Sequence, residues 1–386
     1  MRYVLIFWMV FMVTTLSAQS STNDLMELSE DYEKYNLKEG NLPEKWEDGI
    51  RTDGGKKTYE WWYFDSHLDD GSTIVIGFYT KPFSEVNKKQ NPLVTVMIDR
   101  PDGTIIRKEY FSKKEPASFS KDSCHVIIGE NYFIGNLDQY EIHYEDEDLN
   151  LTATIERTAQ SWRPKTGHVL FGEAKDLFFA WVVPVPQGTM EIVYTYKEEE
   201  EVALKGSCYH DHNWGNKDMV KLFNHWYWSR AEIGPYSVIA AQMISEKGYN
   251  NENVIVFNVS KNGEIVTDKG EFTSLYRTHG KMHPELKKDV SDELVFIYDN
   301  PNDPYRYEYY LSKEKNIAEV DLLALAVPGK FLLCLARIIT GFDGAYFRFS
   351  GKAEIRVFKD NEFVESHESP KAVWELMYFG KPNGGK

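Results

Sequence analysis

Cysteine is scarce in this chain: Cys124, Cys208 and Cys334 are the only three in 386 residues. Three thiols are too few for a disulfide framework, and their separations match no common zinc-ligand spacing. We therefore expect all three to be core residues. A glycine-rich loop between a strand and a helix is also lacking, which removes the main sequence signal for nucleotide binding.

Basic residues are outnumbered by acidic ones. The chain has 44 Lys and Arg against 60 Asp and Glu, which gives a net charge of −16 at pH 7. Such an acidic protein repels nucleic-acid phosphates and anionic membrane surfaces, so neither is an expected partner. Hydrophobic residues make up 42% of the chain, which allows an ordinary core and excludes global disorder.

Long apolar runs are limited to the N-terminus. Met1-Arg2 precedes an apolar run from Tyr3 to Leu16, and Ser17-Ala18 then gives a small residue for cleavage. This order is typical of a secretory signal peptide, and the run is shorter than the ~20 residues of a membrane-spanning helix. We expect residues 1–18 to be removed on export to a periplasm or out of the cell. No later stretch is apolar enough to span a membrane.

Aromatic residues are abundant, at 15% of the chain, with 10 Trp, 24 Tyr and 22 Phe. They favour strands and the walls of apolar pockets. Runs such as Thr73–Tyr79 and Leu93–Ile98 are separated by turn signals such as Pro101-Asp102-Gly103, which predicts an all-β chain of hairpins. Residues 319–340 fit either two strands or a short helix.

Two β domains are expected from the length, because one domain usually holds about 100–200 residues. The polar segment 215–221 separates two aromatic clusters and sets the boundary. We expect a mobile or surface-draped leader over residues 19–50, one domain over 51–216 and a second over 220–386. Each domain is long enough for about eight strands, which enclose a single-ligand interior.

The first cluster of residues that could carry out chemistry is Glu60-Trp61-Trp62-Tyr63. Alternate residues of a strand share a face, so Glu60 and Trp62 lie on one side, and Trp61 and Tyr63 lie on the other. A carboxylate at the start of so apolar a strand needs either a partner or a raised pKa. The structural alternative is that the two tryptophans anchor a barrel floor.

The second cluster, Tyr209–Trp214, is too polar for an ordinary core strand. His210 and His212 share one face of a strand, and Asp211 points to the opposite face. Three interpretations stay open. The histidines form a zinc site with His225 or an acidic residue; Asp211 or a histidine does acid–base chemistry beside an indole; or an Asp–His pair joins two domains.

The third cluster places Trp226, Trp228 and Arg230 on one face of a strand. Arg230 is expected to pair with a carboxylate, such as Glu60 or Asp211, or to stack on an indole. The structural alternative is a core strand with a buried salt bridge.

In order and spacing, these clusters resemble the carotenoid 1,2-hydratase family, also called the hydroxyneurosporene synthase or AttH-like family. The matching signatures are the Glu60–Phe64 run, the Gly206–Gly215 segment with its Asp-His-Asn-Trp-Gly core, and the Trp226–Ala231 run. They cover both halves of the chain. The resemblance implies two lipocalin-like antiparallel β-barrel or sandwich domains with a site between them. It also implies enzymes that hydrate or cyclise unsaturated lipophilic molecules.

The resemblance assigns catalysis to the His and Trp of the central motif, here His212 and Trp214. It also implies a Tyr and an Asp one strand later, where this chain has Tyr236 but no Asp. The resemblance therefore supports the fold more fully than it supports carotenoid hydration.

Together these observations predict an exported enzyme without metal or other cofactor. Its substrate is a small unsaturated lipophile, and its reaction is hydration or acid-promoted cyclisation or isomerisation. We expect Asp211 and His212 to project into one dry chamber between the domains, with Asp211 or Glu60 as the acid. The expected substrate-binding residues are Trp61, Trp62, Tyr63, Tyr209, His210, Trp226, Trp228, Arg230 and Tyr236. The alternatives are a lipocalin-like carrier, a metal-dependent hydrolase or lyase using the two motif histidines, and a glycan-binding module.

Overall fold

The computed structural model describes residues 25–112, 117–324 and 342–381, and nearly all regular structure within them is β. The expected signal peptide over residues 1–18 lies outside these ranges, as does Cys334. Most of the ambiguous stretch 319–340 also lies outside them, although its first residues continue a strand. Among the described residues, no helix has the length and apolar character needed to cross a bilayer.

The first sheet contains 13 strands, counted over the described ranges, and its pairings are antiparallel. In chain order they are β1 (Met26–Leu28), β2 (Tyr59–Leu68), β3 (Thr73–Tyr79), β4 (Leu93–Asp99), β5 (Ile105–Phe111), β6 (Ala117–Phe119), β7 (His125–Ile128), β8 (Asn131–Gly135), β9 (Gln139–Glu145), β10 (Leu149–Arg157), β11 (His168–Phe171), β12 (Leu177–Tyr196) and β13 (Val202–Gly215). The order across the sheet is β5-β4-β3-β2-β13-β12-β10-β9-β8-β7-β6, with β11 on β12 and β1 on β11. The predicted hairpin around residues 101–103 is confirmed, because β4 pairs with β5.

The second sheet contains nine strands within the described part of the chain. Its strands, and a separate pair formed by β19 and β20, are β14 (Phe223–Ile233), β15 (Tyr236–Ser245), β16 (Asn253–Lys261), β17 (Glu264–Thr267), β18 (Thr273–Thr278), β19 (Lys281–Met282), β20 (Asp289–Val290), β21 (Glu293–Asp299), β22 (Tyr305–Asp321), β23 (Ala345–Lys359) and β24 (Glu362–Tyr378). The order is β17-β16-β15-β14-β24-β23-β22-β21-β18. Within the described ranges, the helices are α1 (Met219–Leu222) and the short 3-10 turns Lys45–Asp48, Phe83–Glu85, Lys247–Tyr249 and Gly270–Phe272.

Period-two patterning explains most strands. In β10 the residues at positions 149, 151, 153 and 155 are Leu, Leu, Ala and Ile, and all four are buried, whereas the residues between them are not. Burying one large aliphatic side chain contributes about 1.5–3 kcal/mol, so this alternation fixes which face turns inward. The all-β fold class predicted from the sequence is confirmed.

The core has three main parts. One lies within the first sheet, one lies within the second sheet, and a third contains side chains of β2, β12, β13, β14 and β15, where the sheets meet. Every residue of β13 from Cys208 to Gly215 is buried. This strand therefore has an apolar environment on both faces, and its polar residues must find partners inside the protein.

The segment expected to be a leader is not simply draped over the surface. Strand β1 pairs with β11, and Glu47 and Asp48 are both buried. Asp48 accepts a hydrogen bond from Tyr140 of the first sheet. The charges of this segment predicted exposure, but two of its carboxylates have buried partners: Glu47 lies 3.2 Å from Arg163 Nε, and Asp48 is hydrogen-bonded by Tyr140. The domain boundaries at 216 and 220 stay a prediction, although the first sheet ends at Gly215 and the second begins at Phe223.

Candidate functional site

A bulge shapes the centre of β13. The β12–β13 register shifts beside Asp211, so that Val183 and Pro184 together oppose this one residue. Pro184 has no N–H for the ladder and therefore tolerates the irregularity. Bulges bend a strand and redirect its side chains, and they occur often beside functional sites.

A cavity of about 110 Å³ lies against this bulge, between the two sheets. Most of its wall is apolar, because each sheet turns aromatic side chains toward the other. The wall consists of Trp61, Tyr63, Phe179, Trp181, Trp226, Trp228, Ala241 and Met243, together with the polar residues Asp211, Asn213 and Glu375. Apolar walls with a few convergent polar groups are typical of small-molecule sites.

Asp211 is the best-supported chemical group in this cavity. It is 7% exposed. Its Oδ2 accepts hydrogen bonds from Trp181 Nε1 at 3.0 Å and from the Tyr209 hydroxyl at 2.8 Å, and its Oδ1 accepts one from Asn213 Nδ2 at 2.7 Å. Burial raises the pKa of Asp211 to about 7, and the three hydrogen bonds lower the pKa only partly. Both the acid and its conjugate base are therefore populated near neutral pH.

Glu375 enters the cavity from β24, on the second sheet. Its Oε1 accepts a hydrogen bond from the Tyr346 hydroxyl and lies 4.0 Å from Arg348 Nε. Burial raises the pKa of Glu375 above its ordinary value, and Arg348 opposes that rise. The cavity thus has one carboxyl group from each sheet.

A buried ion pair joins the sheets beside the cavity. Arg230 of β14 donates from Nε, at 2.6 Å, and from Nη2 to Oδ1 of Asp65 on β2. The Tyr63 hydroxyl donates to Oδ2 of the same carboxylate at 3.0 Å. Burial acts to raise the pKa of Asp65, but Arg230 outweighs it, and the net pKa is lowered. The expectation that Arg230 pairs with a carboxylate in a buried salt bridge is confirmed, but the partner is Asp65 rather than Glu60 or Asp211.

His212 lies on the opposite face of β13 from Asp211, inside the first sheet. Its Nε2 is 2.8 Å from Glu60 Oε1, and Glu60 also accepts from the backbone N–H groups of Arg51 and Thr52. Neither His212 nor Glu60 lines the cavity between the sheets. The expectation that Asp211 and His212 share one chamber was therefore wrong, since adjacent strand residues point in opposite directions.

His210 shares the inner face with His212. Its Nδ1 is 2.8 Å from the Tyr63 carbonyl, and its Nε2 is 3.3 Å from Asp48 Oδ2. Within the described residues, potential metal-ligand atoms of Asp48, Cys124 and His210 lie within 4.8 Å of one another. Each of the three also makes a hydrogen bond to a protein group: Asp48 Oδ2 accepts from Tyr140, His210 contacts the Tyr63 carbonyl, and the Cys124 thiol is 3.4 Å from the Phe133 carbonyl.

The sequence-based zinc interpretation named His225 or an acidic residue as a third ligand. The structure brings the carboxylate of Asp48 within 3.3 Å of His210 Nε2 and 3.6 Å of His212 Nδ1, but it does not bring His225 to the motif histidines. His225 instead stacks on Tyr378, with ring centroids 4.9 Å apart, and hydrogen-bonds to Asn224. The set of His210, His212 and His225 is therefore not assembled in this fold.

The remaining predicted residues have structural surroundings away from the cavity. Trp62 stacks on His212 within the first sheet, with ring centroids 4.5 Å apart. The ring of Trp214 also packs against His212, with centroids 4.9 Å apart, and Trp214 lines a separate cavity of about 270 Å³. Tyr236 donates to Glu365 and packs in the core of the second sheet. Tyr209 is buried and supports Asp211.

Sequence reasoning missed several wall residues. Phe179, Trp181, Ala241 and Met243 belong to runs that read as ordinary apolar strands. Glu375 had a usable signal, since it is a lone carboxyl in the apolar run Val373-Trp374-Glu375-Leu376, the same signal that drew attention to Glu60. Of the predicted substrate-binding residues, Trp61, Tyr63, Trp226 and Trp228 do line the cavity.

Part of the chain is similar in sequence to known proteins. A family model described as Diels-Alderase-like matches residues 149–276, a range that includes Trp181, Asp211, Trp226 and Trp228 of the cavity wall. A hydroxyneurosporene dehydrogenase from Chlorobaculum tepidum is 24% identical over 205 residues, which is 45% of this chain and 53% of the relative. The chain thus spans about half the length of this curated relative.

Solved structures extend the likeness to most of the chain. An AttH-type protein from Nitrosomonas europaea aligns with a TM-score of 0.57 and 13% identity, over 88% of this chain and 98% of its own. This protein has the AttH-like fold. CghA in complex with Sch210972 aligns at 0.59 and 13% identity, over 89% of this chain and 98% of its own. Kievitone hydratase from Nectria haematococca aligns with a TM-score of 0.53 and 12% identity, over 88% of this chain and 94% of its own.

The predicted resemblance to the AttH-like family is confirmed by these findings together. The narrower assignment to the carotenoid hydratases stays a prediction. In this chain the Asp-His-Asn-Trp motif is divided between two environments: Asp211 and Asn213 face the cavity between the sheets, and His212 and Trp214 do not.

Proposed function

We propose that this AttH-like protein is an enzyme for an unsaturated lipophilic small molecule, and that Asp211 donates a proton to a carbon–carbon double bond in the cavity. Protonation leaves a carbocation on the substrate. Capture of water, which then returns a proton to the Asp211 carboxylate, gives hydration. Attack by a second double bond, followed by loss of a proton to that carboxylate, gives cyclisation, and direct loss of a neighbouring proton to it gives isomerisation. These routes need no cofactor. The proposal includes export, on the basis of the N-terminal apolar run.

The observation that carries this proposal is the setting of Asp211. Protonating an unactivated alkene needs an acid that keeps its proton near neutral pH and is shielded from bulk water. Asp211 has a pKa of about 7 because it is buried against an aromatic wall. Oδ2 accepts from both Trp181 and Tyr209, whereas Oδ1 accepts only from Asn213, so Oδ1 is the oxygen with a lone pair left to carry the proton.

The aromatic wall fits the same chemistry. A cation beside an aromatic face gains up to about 2 kcal/mol when it is desolvated. Trp61 and Tyr63 come from the first sheet, and Trp226 and Trp228 come from the second. A carbocation formed beside Asp211 would thus have electron-rich rings on both sides.

The names of the relatives support a hydratase- or cyclase-type lyase or isomerase. One structural neighbour is a kievitone hydratase, and the matching family model is described as Diels-Alderase-like. A further relative carries a hydroxyneurosporene name. A non-catalytic carrier with the same fold would use the aromatic wall but would have no use for a protonated carboxyl at its centre.

The proposal is tested by incubating purified protein with a panel of terpenoid alcohols and polyenes and analysing products by mass spectrometry. Asp211→Asn should abolish product formation while retaining ligand binding measured by calorimetry. The matched control is Glu191→Gln, which alters an exposed carboxylate on β12 that pairs with Lys205, and it should behave as wild type. Equal turnover by the Asp211→Asn variant and the wild type would disprove the proposal.

A further inference from the structure

Two polar groups of the cavity lie side by side on the second sheet. Trp228 of β14 and Glu375 of β24 are direct partners in the antiparallel register, and both line the cavity. Side chains directly opposite each other on one face have Cβ atoms about 4.5–5.5 Å apart. The indole and the carboxyl group are therefore close enough to contact one small ligand group together.

Trp228 has a buried hydrogen-bond donor to offer. Its indole packs edge-on against Tyr63 and Tyr209, with centroids 6.2 and 5.3 Å away. Among the described residues, its buried Nε1 has no hydrogen-bond partner. A buried N–H without a partner is costly, so an acceptor supplied by a ligand would be favoured at this position.

Glu375 has an acceptor to offer. The two described groups that approach its carboxyl, the Tyr346 hydroxyl and Arg348 Nε, both approach Oε1. They fix the orientation of the carboxyl group and leave Oε2 as the oxygen for a ligand. The donor of Trp228 and the acceptor of Glu375 therefore form a complementary pair on one wall.

We infer that this pair recognises a hydroxyl group on the substrate, with Trp228 Nε1–H donating to the hydroxyl oxygen and the hydroxyl donating to Glu375 Oε2. A hydroxyl is a simple group that accepts and donates through one atom, whereas a carbonyl only accepts. This inference rests on the proposed function and narrows its substrate class to unsaturated lipophilic alcohols or phenols. A pure hydrocarbon would leave both polar groups without partners.

The size of the cavity agrees with recognition of one end of a molecule. Sites that enclose a drug-sized ligand usually measure about 300–1,000 Å³. The cavity here measures about 110 Å³. It accommodates a hydroxyl-bearing ring or chain end, and a longer lipophile would extend from it.

Isothermal titration calorimetry with two matched probes tests the inference. Perillyl alcohol and limonene share one carbon skeleton and differ by the hydroxyl group. The wild type should bind perillyl alcohol at least about tenfold more tightly than limonene, because the hydrocarbon leaves a buried donor unpaired. Trp228→Phe keeps an aromatic ring and removes the N–H, so it should cut this preference several-fold. Glu375→Gln should weaken alcohol binding without weakening limonene binding.

Trp226→Phe is the matched control, because it makes the same change in the same cavity wall. It should weaken both probes by a similar factor and keep their ratio. Equal binding of the two probes by the wild type would overturn the hydroxyl inference and leave the lipophile site intact. A preference for the alcohol that survives Trp228→Phe unchanged would also overturn it. If neither probe bound, the proposed function itself would be contradicted.

Discussion

Replacing Asp211 by Asn should stabilise the folded protein at alkaline pH. The folded-state pKa of Asp211 is raised from 3.8 to about 7, so the folded protein holds this proton more tightly than the unfolded chain. The associated stability is fully present below about pH 4 and is lost as the pH rises toward 7. At about 1.36 kcal/mol for each pKa unit, the loss reaches about 4 kcal/mol.

Asparagine resembles the neutral carboxyl group in shape and carries no charge to desolvate. A half-turn of the Asn213 amide lets that side chain accept from the new Nδ2, so the hydrogen bonds seen for Asp211 can be kept. The variant should therefore match wild type in unfolding free energy near pH 4 and exceed it by up to about 4 kcal/mol at pH 8.

Urea unfolding followed by tryptophan fluorescence between pH 4 and 8 measures this difference. Glu191→Gln is the control, because its exposed carboxylate should give no comparable pH trend. A variant that is less stable than wild type by the same amount at every pH would refute the argument, since it would mean that Asp211 keeps its charge throughout this range.

The same contacts give four further predictions. Turnover should depend on protonated Asp211 and fall about tenfold for each pH unit above about 7, as measured by a pH–rate profile. Trp181→Phe removes a hydrogen bond that lowers the pKa of Asp211, so the falling limb of that profile should move to higher pH; an unmoved limb would rule out this role. Asp65→Asn leaves the Arg230 guanidinium buried without its charged partner and should cost about 3–5 kcal/mol in chemical unfolding, whereas a cost below 1 kcal/mol would show that the pair is not buried in solution. His212→Gln should lower the unfolding free energy but keep turnover per folded molecule, and loss of turnover with unchanged stability would contradict the placement of His212.

Strand patterning predicted much of this structure. The alternation around residues 209–214 correctly placed His210 and His212 on one face and Asp211 on the other. The same rule placed Trp61 and Tyr63 together, and both line the cavity. Period-two reasoning works because it depends only on local backbone geometry.

The sequence could not show which face of β13 opens onto a cavity. Both faces are buried from Cys208 to Gly215, so no exposed side distinguishes them. Partner choice was equally hidden, because Arg230 meets Asp65 across the two sheets and Glu60 meets His212 across two strands. Such pairings depend on register and sheet packing rather than on neighbours along the chain.

The position of Glu375 is a second feature that the sequence could not predict. It lies 164 positions after Asp211 along the chain, yet both carboxyl groups line one cavity. Only the pairing of β14 with both β15 and β24 brings the last strand to the wall. A lone carboxyl in an apolar strand marks a candidate site residue in the sequence. Which cavity that carboxyl lines can be read only from the folded structure.

Deuterium transfer tests the central claim most directly. An unsaturated terpenoid alcohol, such as perillyl alcohol, is incubated with the protein in D₂O at pD values around 7, and carbon-bound deuterium is measured by mass spectrometry and NMR. If Asp211 protonates the double bond, wild-type protein should place deuterium on a former alkene carbon, and Asp211→Asn should not. Incorporation at the same rate by both proteins would contradict the account.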